Sequence, residues 1–170
     1  AKKPDISEKG YFEVIHKKTA ILFEAACETA ATLSGAEETL RRQLTAYGYH
    51  VGIAFQLIDD ALDYTGNTED LGKNVGDDLA EGKPTLPLIY AMSNSSEEQS
   101  AMIADSIRNG DKSQLSQIIN IIRDSGALDY TLNLAKEHAM SAIKTLDALP
   151  DSTYKQAMIE LAEFSISRSN

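Results

Sequence analysis

Residues 51–87 read VGIAFQLIDDALDYTGNTEDLGKNVGDDLAEGKPTLP. The first part has the pattern of a helix. Val51, Ile53, Ala54, Phe55, Leu57, Ile58, Ala61 and Leu62 put apolar groups on nearly every side, the mark of a helix buried all round. The same helix carries Gln56, Asp59, Asp60 and Asp63. At about 100° per residue, Asp59 and Asp63 stand one above the other, with Gln56 one turn before Asp59 and Asp60. Three carboxylates in such surroundings are costly: at an effective dielectric near 20, two charges ~6 Å apart repel by roughly 3 kcal/mol. A hard divalent cation with oxygen ligands would offset that repulsion. The plain alternative is a solvated acidic face, on which like charges cost about 0.2–0.5 kcal/mol. The apolar neighbours argue against it, and so does the segment that follows.

In that segment, residues 66–84, glycine interrupts regular helix at Gly66, Gly72, Gly76 and Gly82. Lys73 and Lys83 alternate with Asp70, Asp77 and Asp78. A glycine-rich loop brings backbone N–H groups to a phosphate, and lysine adds a point charge. No GxxxxGK[ST] occurs, so the loop is not a P-loop. Following the carboxylate helix directly, it predicts a shared metal–phosphate site.

The bulk properties narrow the classes. A length of 170 residues suffices for one domain with a real core. A net charge of −10 argues against nucleic acid as a partner and makes the clustered lysines more informative. No apolar run of about eighteen residues exists to span a membrane. No signal-peptide pattern is visible. Cys27 is the one cysteine, which excludes a disulfide framework and a thiolate metal site. A reducing, cytoplasmic setting is expected. The chain opens AKKPDIS rather than with Met, so an upstream segment is expected.

The remaining sequence is helical in pattern. Asp5 is a candidate cap, with Glu8 completing a capping box. Phe12, Ile15, Thr19, Leu22, Ala26, Ala30 and Leu33 recur at steps of three and four as far as Ser34 and Gly35. The alanines of residues 25–31 predict a close approach by another helix. A second helix is expected over 36–64, ended by Gly66. Thr85 starts a third, with Pro87 in its first turn. Ser96 with Gln99 and Asp111 with Gln114 read as capping boxes. Further helices are expected over 128–149, before Pro150, and over 151–168. His16, His50 and His138 are far apart in sequence, so no histidine cluster or histidine metal site is expected.

At this point the motifs resemble a known family. GIAFQLIDDALDY followed by LGKNVGDDLAEGKPTLPL, with HKKTAILFEAACETAATLSG upstream, is similar to the C-terminal half of trans-polyprenyl diphosphate synthases of the bacterial long-chain, octaprenyl type. The likeness covers essentially the whole chain, 1–170. It implies an all-α bundle of the isoprenoid synthase type, here its C-terminal part. It also implies a prenyltransferase that condenses isopentenyl diphosphate head-to-tail with an allylic diphosphate, using Mg²⁺ and working as a homodimer. Asp59, Asp60 and Asp63 resemble the second aspartate-rich motif, with Asp59 the direct metal ligand, and Asp77 resembles an aspartate that supports the metal through water. Lys18 resembles the KT-motif lysine on the allylic diphosphate. Thr19 and Gln56 resemble residues near the reacting carbons. Lys73 resembles a second diphosphate-binding lysine, and Lys83 a basic residue at the cavity mouth.

One departure stands beside these matches: the family's first aspartate-rich motif and its isopentenyl diphosphate site are not in this sequence and are expected upstream of residue 1. Asp77, Asp78 and Glu81 form a DDxxE string, but it follows the second motif and does not replace the first. The 170-residue chain alone is therefore expected to fold as helices, not to turn over, and to expose an apolar flank around Phe12, Ile15, Phe55 and Leu62. The alternatives are a non-catalytic helical subunit of a heteromeric prenyl synthase, against which the intact DDxxD motif counts, and a terpene-cyclase-like lyase, against which the KT and LGKxxGDD features count.

Overall fold

A computed structural model of the chain describes residues 7–65 and 75–167. Every regular element among them is helical. In chain order they are α1 (Glu8–Ile15), a π-helical turn (His16–Ala20), α2 (Ile21–Leu33), α3 (Glu38–Leu62), α4 (Asp77–Ala80), α5 (Leu86–Ser93), α6 (Glu97–Asn109), α7 (Leu115–Asp124), α8 (Ala127–Thr145), a 3₁₀ turn (Leu146–Ala148) and α9 (Thr153–Ser167). Asp5, Gly66, Asp70, Gly72, Lys73 and Arg168 lie outside the described residues. The chain groups into two compact units, Ala1–Tyr11 with Asp59–Leu132 and Phe12–Ile58 with Asn133–Asn170.

The first unit has a core of Tyr64, Leu79, Leu88, Ile103, Ile107, Ile118, Ile121 and Ile122. Several of these side chains are fully buried, each contributing about 1.5–3 kcal/mol of transfer free energy. α5 packs against α6 and α7, and α4 against α6. Thr85 precedes α5 in an extended conformation and Pro87 lies in its first turn, as the sequence requires. The Ser96 box closes reciprocally: the Gln99 N–H donates to Ser96 Oγ at 3.2 Å, and the Ser96 N–H to Gln99 Oε1 at 3.1 Å. The Asp111 box does not form. The Asp111 carboxylate instead accepts the N–H and the hydroxyl of Ser113, at 2.8 and 2.7 Å, and α7 starts only at Leu115. A donor two residues away captures the carboxylate before the helix can. Residues 75–84, expected to be irregular, contain the single-turn α4, preceded by Gly76 at φ 77°.

In the second unit the sequence pattern and the structure part at the π turn. Just before it, still in the first unit, Ser7 Oγ accepts the Gly10 N–H and so caps the start of α1. At His16–Ala20 the helix widens, and the Ile21 N–H reaches back to the carbonyl of His16. A π turn inserts one residue into the α ladder. The buried face beyond it is therefore displaced by one: Ala20, Phe23, Cys27 and Ala31 face inward in place of Thr19, Leu22, Ala26 and Ala30. Leu22 and Leu33 stand 69% and 83% exposed for the same reason. The apolar flank expected around Phe12, Ile15, Phe55 and Leu62 is corrected accordingly. Ile15 is buried, the other three are half-buried, and the exposed large apolar groups include Val14, Ile21, Leu22 and Leu33.

The close approach expected from the alanines of α2 is made by glycines of α3. A Cβ on Gly52 would stand 2.6 Å from Ala20 Cα, and one on Gly48 would stand 2.4 Å from the Phe23 carbonyl oxygen. Around this contact Tyr47, Val51, Ala142, Leu146 and Ala162 form the core, and the Tyr47 hydroxyl donates to the Met158 carbonyl at 2.7 Å. His50 and His138, separated by 88 residues, do meet: their Nδ1 atoms are 3.0 Å apart. One carries the proton and the other accepts it. The expectation that the histidines stay apart is corrected, because α3 and α8 are neighbours in the fold although distant in sequence. Burial, and then the charge of His50, press the His138 imidazole down to about 4, and burial lowers His50 as well.

Two outcomes follow for stability. Gly52→Ala should destabilise the chain by about 1–3 kcal/mol in denaturant unfolding, because backbone rather than a flexible side chain meets the new methyl. A gain of about 1 kcal/mol, the value of Ala over Gly in an open helix, would disprove the close packing. For His138, the folded value lies below the ordinary 6.5, so the unfolded chain binds the proton first. Its contribution is fully present above about pH 6.5 and is lost as pH falls towards 4. The thermal midpoint should drop across that window, and His138→Leu should flatten the slope.

Candidate functional site

The carboxylates of α3 do three different things. Asp59 is exposed. Asp60, one residue on, is 4% exposed, and Tyr11 of α1 donates its hydroxyl to Asp60 Oδ2 at 2.6 Å. Burial, then the charge of Asp60, hold the Tyr11 phenol far above its ordinary value, so it remains a donor. Asp63 accepts the backbone N–H groups of Asp77 and Asp78 at 3.2 and 3.1 Å, and its carbonyl accepts the Gly76 N–H at 3.0 Å. It thereby ties the start of α4 to the end of α3. Burial pushes the Asp63 carboxyl up, and so does the charge of Asp78, while the two N–H donors pull it down. Negative charge is crowded here in the way a cation site requires.

Among the described residues of this unit, Lys83, Arg108 and Lys112 are engaged with acids. Lys112 donates to Asp77 Oδ1 at 2.7 Å and to the Val75 carbonyl at 3.3 Å. Lys83 pairs with Asp78 at 3.2 Å and with Glu81, whose hydrogen bond is the main influence raising the Lys83 ammonium. Asp77, expected to support a metal, is here the partner of Lys112. Among the described residues no three His, Cys, Asp or Glu side chains converge as a ready metal cage. The donor set still fits a hard divalent cation: Asp59, Asp60 and Asp63 offer carboxylate oxygens alone, and a hydroxyl outside the set already orients Asp60.

Within the other unit the π turn presents Lys18, which is exposed, and Thr19, which is half-buried. The Thr19 hydroxyl donates to Gln56 Oε1 at 2.8 Å, and Gln56 is 4% exposed on α3. Thr19 and Gln56 are thus brought together across 37 residues. Thr19 reaches Gln56 rather than the core because the inserted residue moves it off the buried face. Lys73 lies outside the described residues.

The family model for polyprenyl synthetase matches residues 1–122. The chain belongs to the polyprenyl synthetase family. It is 48% identical, over 98% of its length, to an octaprenyl diphosphate synthase from Haemophilus influenzae, covering 51% of that protein. It is 50% identical to an all-trans-nonaprenyl-diphosphate synthase (geranyl-diphosphate specific) from Rhodobacter capsulatus, covering 98% of the chain and 51% of that protein. Among solved structures, a polyprenyl synthase from Caulobacter crescentus, complexed with calcium and isoprenyl diphosphate, is 41% identical. It superposes with a TM-score of 0.88 over 98% of this chain and 52% of its own. The chain thus spans about half the length of the relatives it matches, and its fold is the all-α isoprenoid synthase fold. Among the described residues no helix is long and apolar enough to cross a membrane.

Two residues that bond to these carboxylates, Tyr11 and Lys112, have no sequence signature. Tyr11 lies 49 residues from Asp60 and reads as one more apolar position, and Lys112 reads as a loop lysine. The glycine pair of α3, GYHVG, is a signal that was present. Asp63→Ala should remove both N–H acceptors at the start of α4 and lower stability by about 1–2 kcal/mol in urea unfolding. Amide exchange at Asp77 and Asp78 should rise more than exchange in α6. Unchanged protection at those two amides would show that Asp63 does not hold α4.

Proposed function

We propose that this chain is part of a trans-polyprenyl diphosphate synthase that condenses isopentenyl diphosphate with an allylic diphosphate to a long-chain, all-trans product of the octaprenyl type. A homodimer and a cytoplasmic setting belong to the same proposal. The observation that carries it is the division of labour on α3: Asp60 and Asp63 are fixed by hydrogen bonds, and Asp59 beside them is left facing solvent. The similarity to octaprenyl and nonaprenyl diphosphate synthases supports the long-chain product.

In this reading Asp59, Asp60 and Asp63 hold Mg²⁺, with Asp77 supporting it once Lys112 releases the carboxylate. Bound there, Mg²⁺ supplies charge that stabilises diphosphate as a leaving group. Lys18, Lys73 and Lys83 bind the diphosphate oxygens of the allylic substrate, adding fixed positive charge where negative charge develops as the C–O bond ionises. The electron pair leaves with the diphosphate. The double bond of isopentenyl diphosphate attacks the allylic cation, and loss of a proton to the departed diphosphate restores a double bond. Thr19 and Gln56 present a polar, hydrogen-bonded pair, whose mutual bond orients the amide. The apolar residues around them keep water from the cation.

The test uses a protein of the relatives' length that contains this chain. Asp59→Ala should lower turnover at least a hundredfold, the counterpart of several kcal/mol of leaving-group stabilisation. Lys18→Met should weaken allylic diphosphate binding about tenfold in calorimetry and leave the thermal midpoint in place, since an exposed lysine contributes little to the fold. Wild-type turnover in the first variant, or wild-type binding in the second, would remove those residues from the site.

A further inference from the structure

Tyr11 and Asp60 form the most enclosed polar contact in the carboxylate region. Asp60 is 4% exposed and Tyr11 3% exposed, and the hydroxyl stands 2.6 Å from Oδ2. A buried carboxylate accepts a metal in a useful geometry only if its plane is set in advance. A donor on one oxygen does that, as the partners behind metal-binding side chains generally do. Tyr11 is rigid, since its ring is buried at the start of α1, and it approaches from an element distant in sequence from the carboxylates. Asp63 is set by a different device, the two N–H groups of α4. The two buried or half-buried carboxylates are thus each held by a separate part of the unit, and Asp59 is exposed.

We infer that Tyr11 is a positioning residue for the carboxylate site: by donating its hydroxyl to one oxygen of Asp60 it turns the other oxygen to a divalent cation. The inference rests on the proposed function, because it takes Asp60 to be a metal-binding carboxylate. It assigns Tyr11 no contact with substrate and no proton transfer.

The experiment measures binding of Mn²⁺ alone, by the electron paramagnetic resonance signal of the free ion, to a wild-type protein of the relatives' length that contains this chain and to its Tyr11→Phe, Asp60→Asn and double variants. Tyr11→Phe should weaken Mn²⁺ binding about tenfold to a hundredfold while the helical circular dichroism is retained. In the Asp60→Asn background the same change should have no further effect, because the carboxylate it positions is gone. In a turnover assay of a protein of the relatives' length that contains this chain, Tyr11→Phe should raise the Mg²⁺ concentration for half-maximal rate, and kcat should recover at saturating Mg²⁺. A purely structural tyrosine would lower the thermal midpoint without moving that concentration. If Tyr11→Phe does not fold, the ¹³Cζ resonance of Tyr11 in the wild-type protein serves instead, and it should shift as Mg²⁺ is added. Wild-type Mn²⁺ affinity in folded Tyr11→Phe, or a ¹³Cζ resonance indifferent to Mg²⁺, overturns the inference and leaves the functional reading standing. A wild-type protein that takes up no Mn²⁺ overturns both.

Discussion

Negative charge on a helix packed among apolar side chains is the constraint to which much of this structure answers. The end of α3 and the residue that follows it place Asp59, Asp60 and Asp63 close together in sequence, where mutual repulsion and desolvation act together. The fold meets each carboxylate separately. A phenol on α1 bonds to Asp60, the first amides of α4 bond to Asp63, and solvent reaches Asp59. Each solution recruits a different element, so α1 and α4 are both tied to the end of this helix. The lysines follow the same logic, with Lys112 and Lys83 neutralising Asp77 and Asp78. Hydrogen bonds from fixed donors offset the repulsion between neighbouring carboxylates without adding further charge.

The π turn solves a different problem in the other unit. A continuous α-helix through residues 8–33 would keep Thr19 on the buried stripe. Inserting one residue lets the small Ala20 take that place against Gly52, and Thr19 turns to Gln56. The widened turn and the glycine pair depend on each other: the turn brings backbone close, and only a residue without Cβ leaves room for it. The Thr19–Gln56 hydrogen bond is thus obtained from a local departure in helix geometry, with no loop required.

Much of this was legible in the sequence, and what was not has identifiable causes. The helices, the Ser96 capping box, the start of α5 at Thr85 and the buried character of α3 all rest on neighbours within four residues, which periodicity reads well. The carboxylate motif was legible because its spacing is local too. The Tyr11 contact, the Lys112 pair and the meeting of His50 with His138 join residues 35 to 88 apart, and nothing local records them. The stripe of α2 was misread by a single position because periodicity assumes 3.6 residues per turn throughout, and HKKTA carries no residue that announces the wider turn. At Asp111 the local rule itself was ambiguous, since Ser113 and Gln114 both offer donors.

The inserted residue also changes how the first thirty-odd positions can drift over generations. Upstream of His16 the inward positions follow one phase, through Tyr11 and Ile15; downstream they follow another, through Ala20, Phe23, Cys27 and Ala31. The two stretches are therefore geared rather than continuous. A one-residue deletion within the turn would return the segment to a continuous α-helix with Ala20, Phe23, Cys27 and Ala31 still inward, and would remove only the widened turn that carries Thr19 to Gln56. A one-residue deletion inside α2 would instead rotate the residues after it by about 100°, so this helix accepts a change of length at one place and not at others.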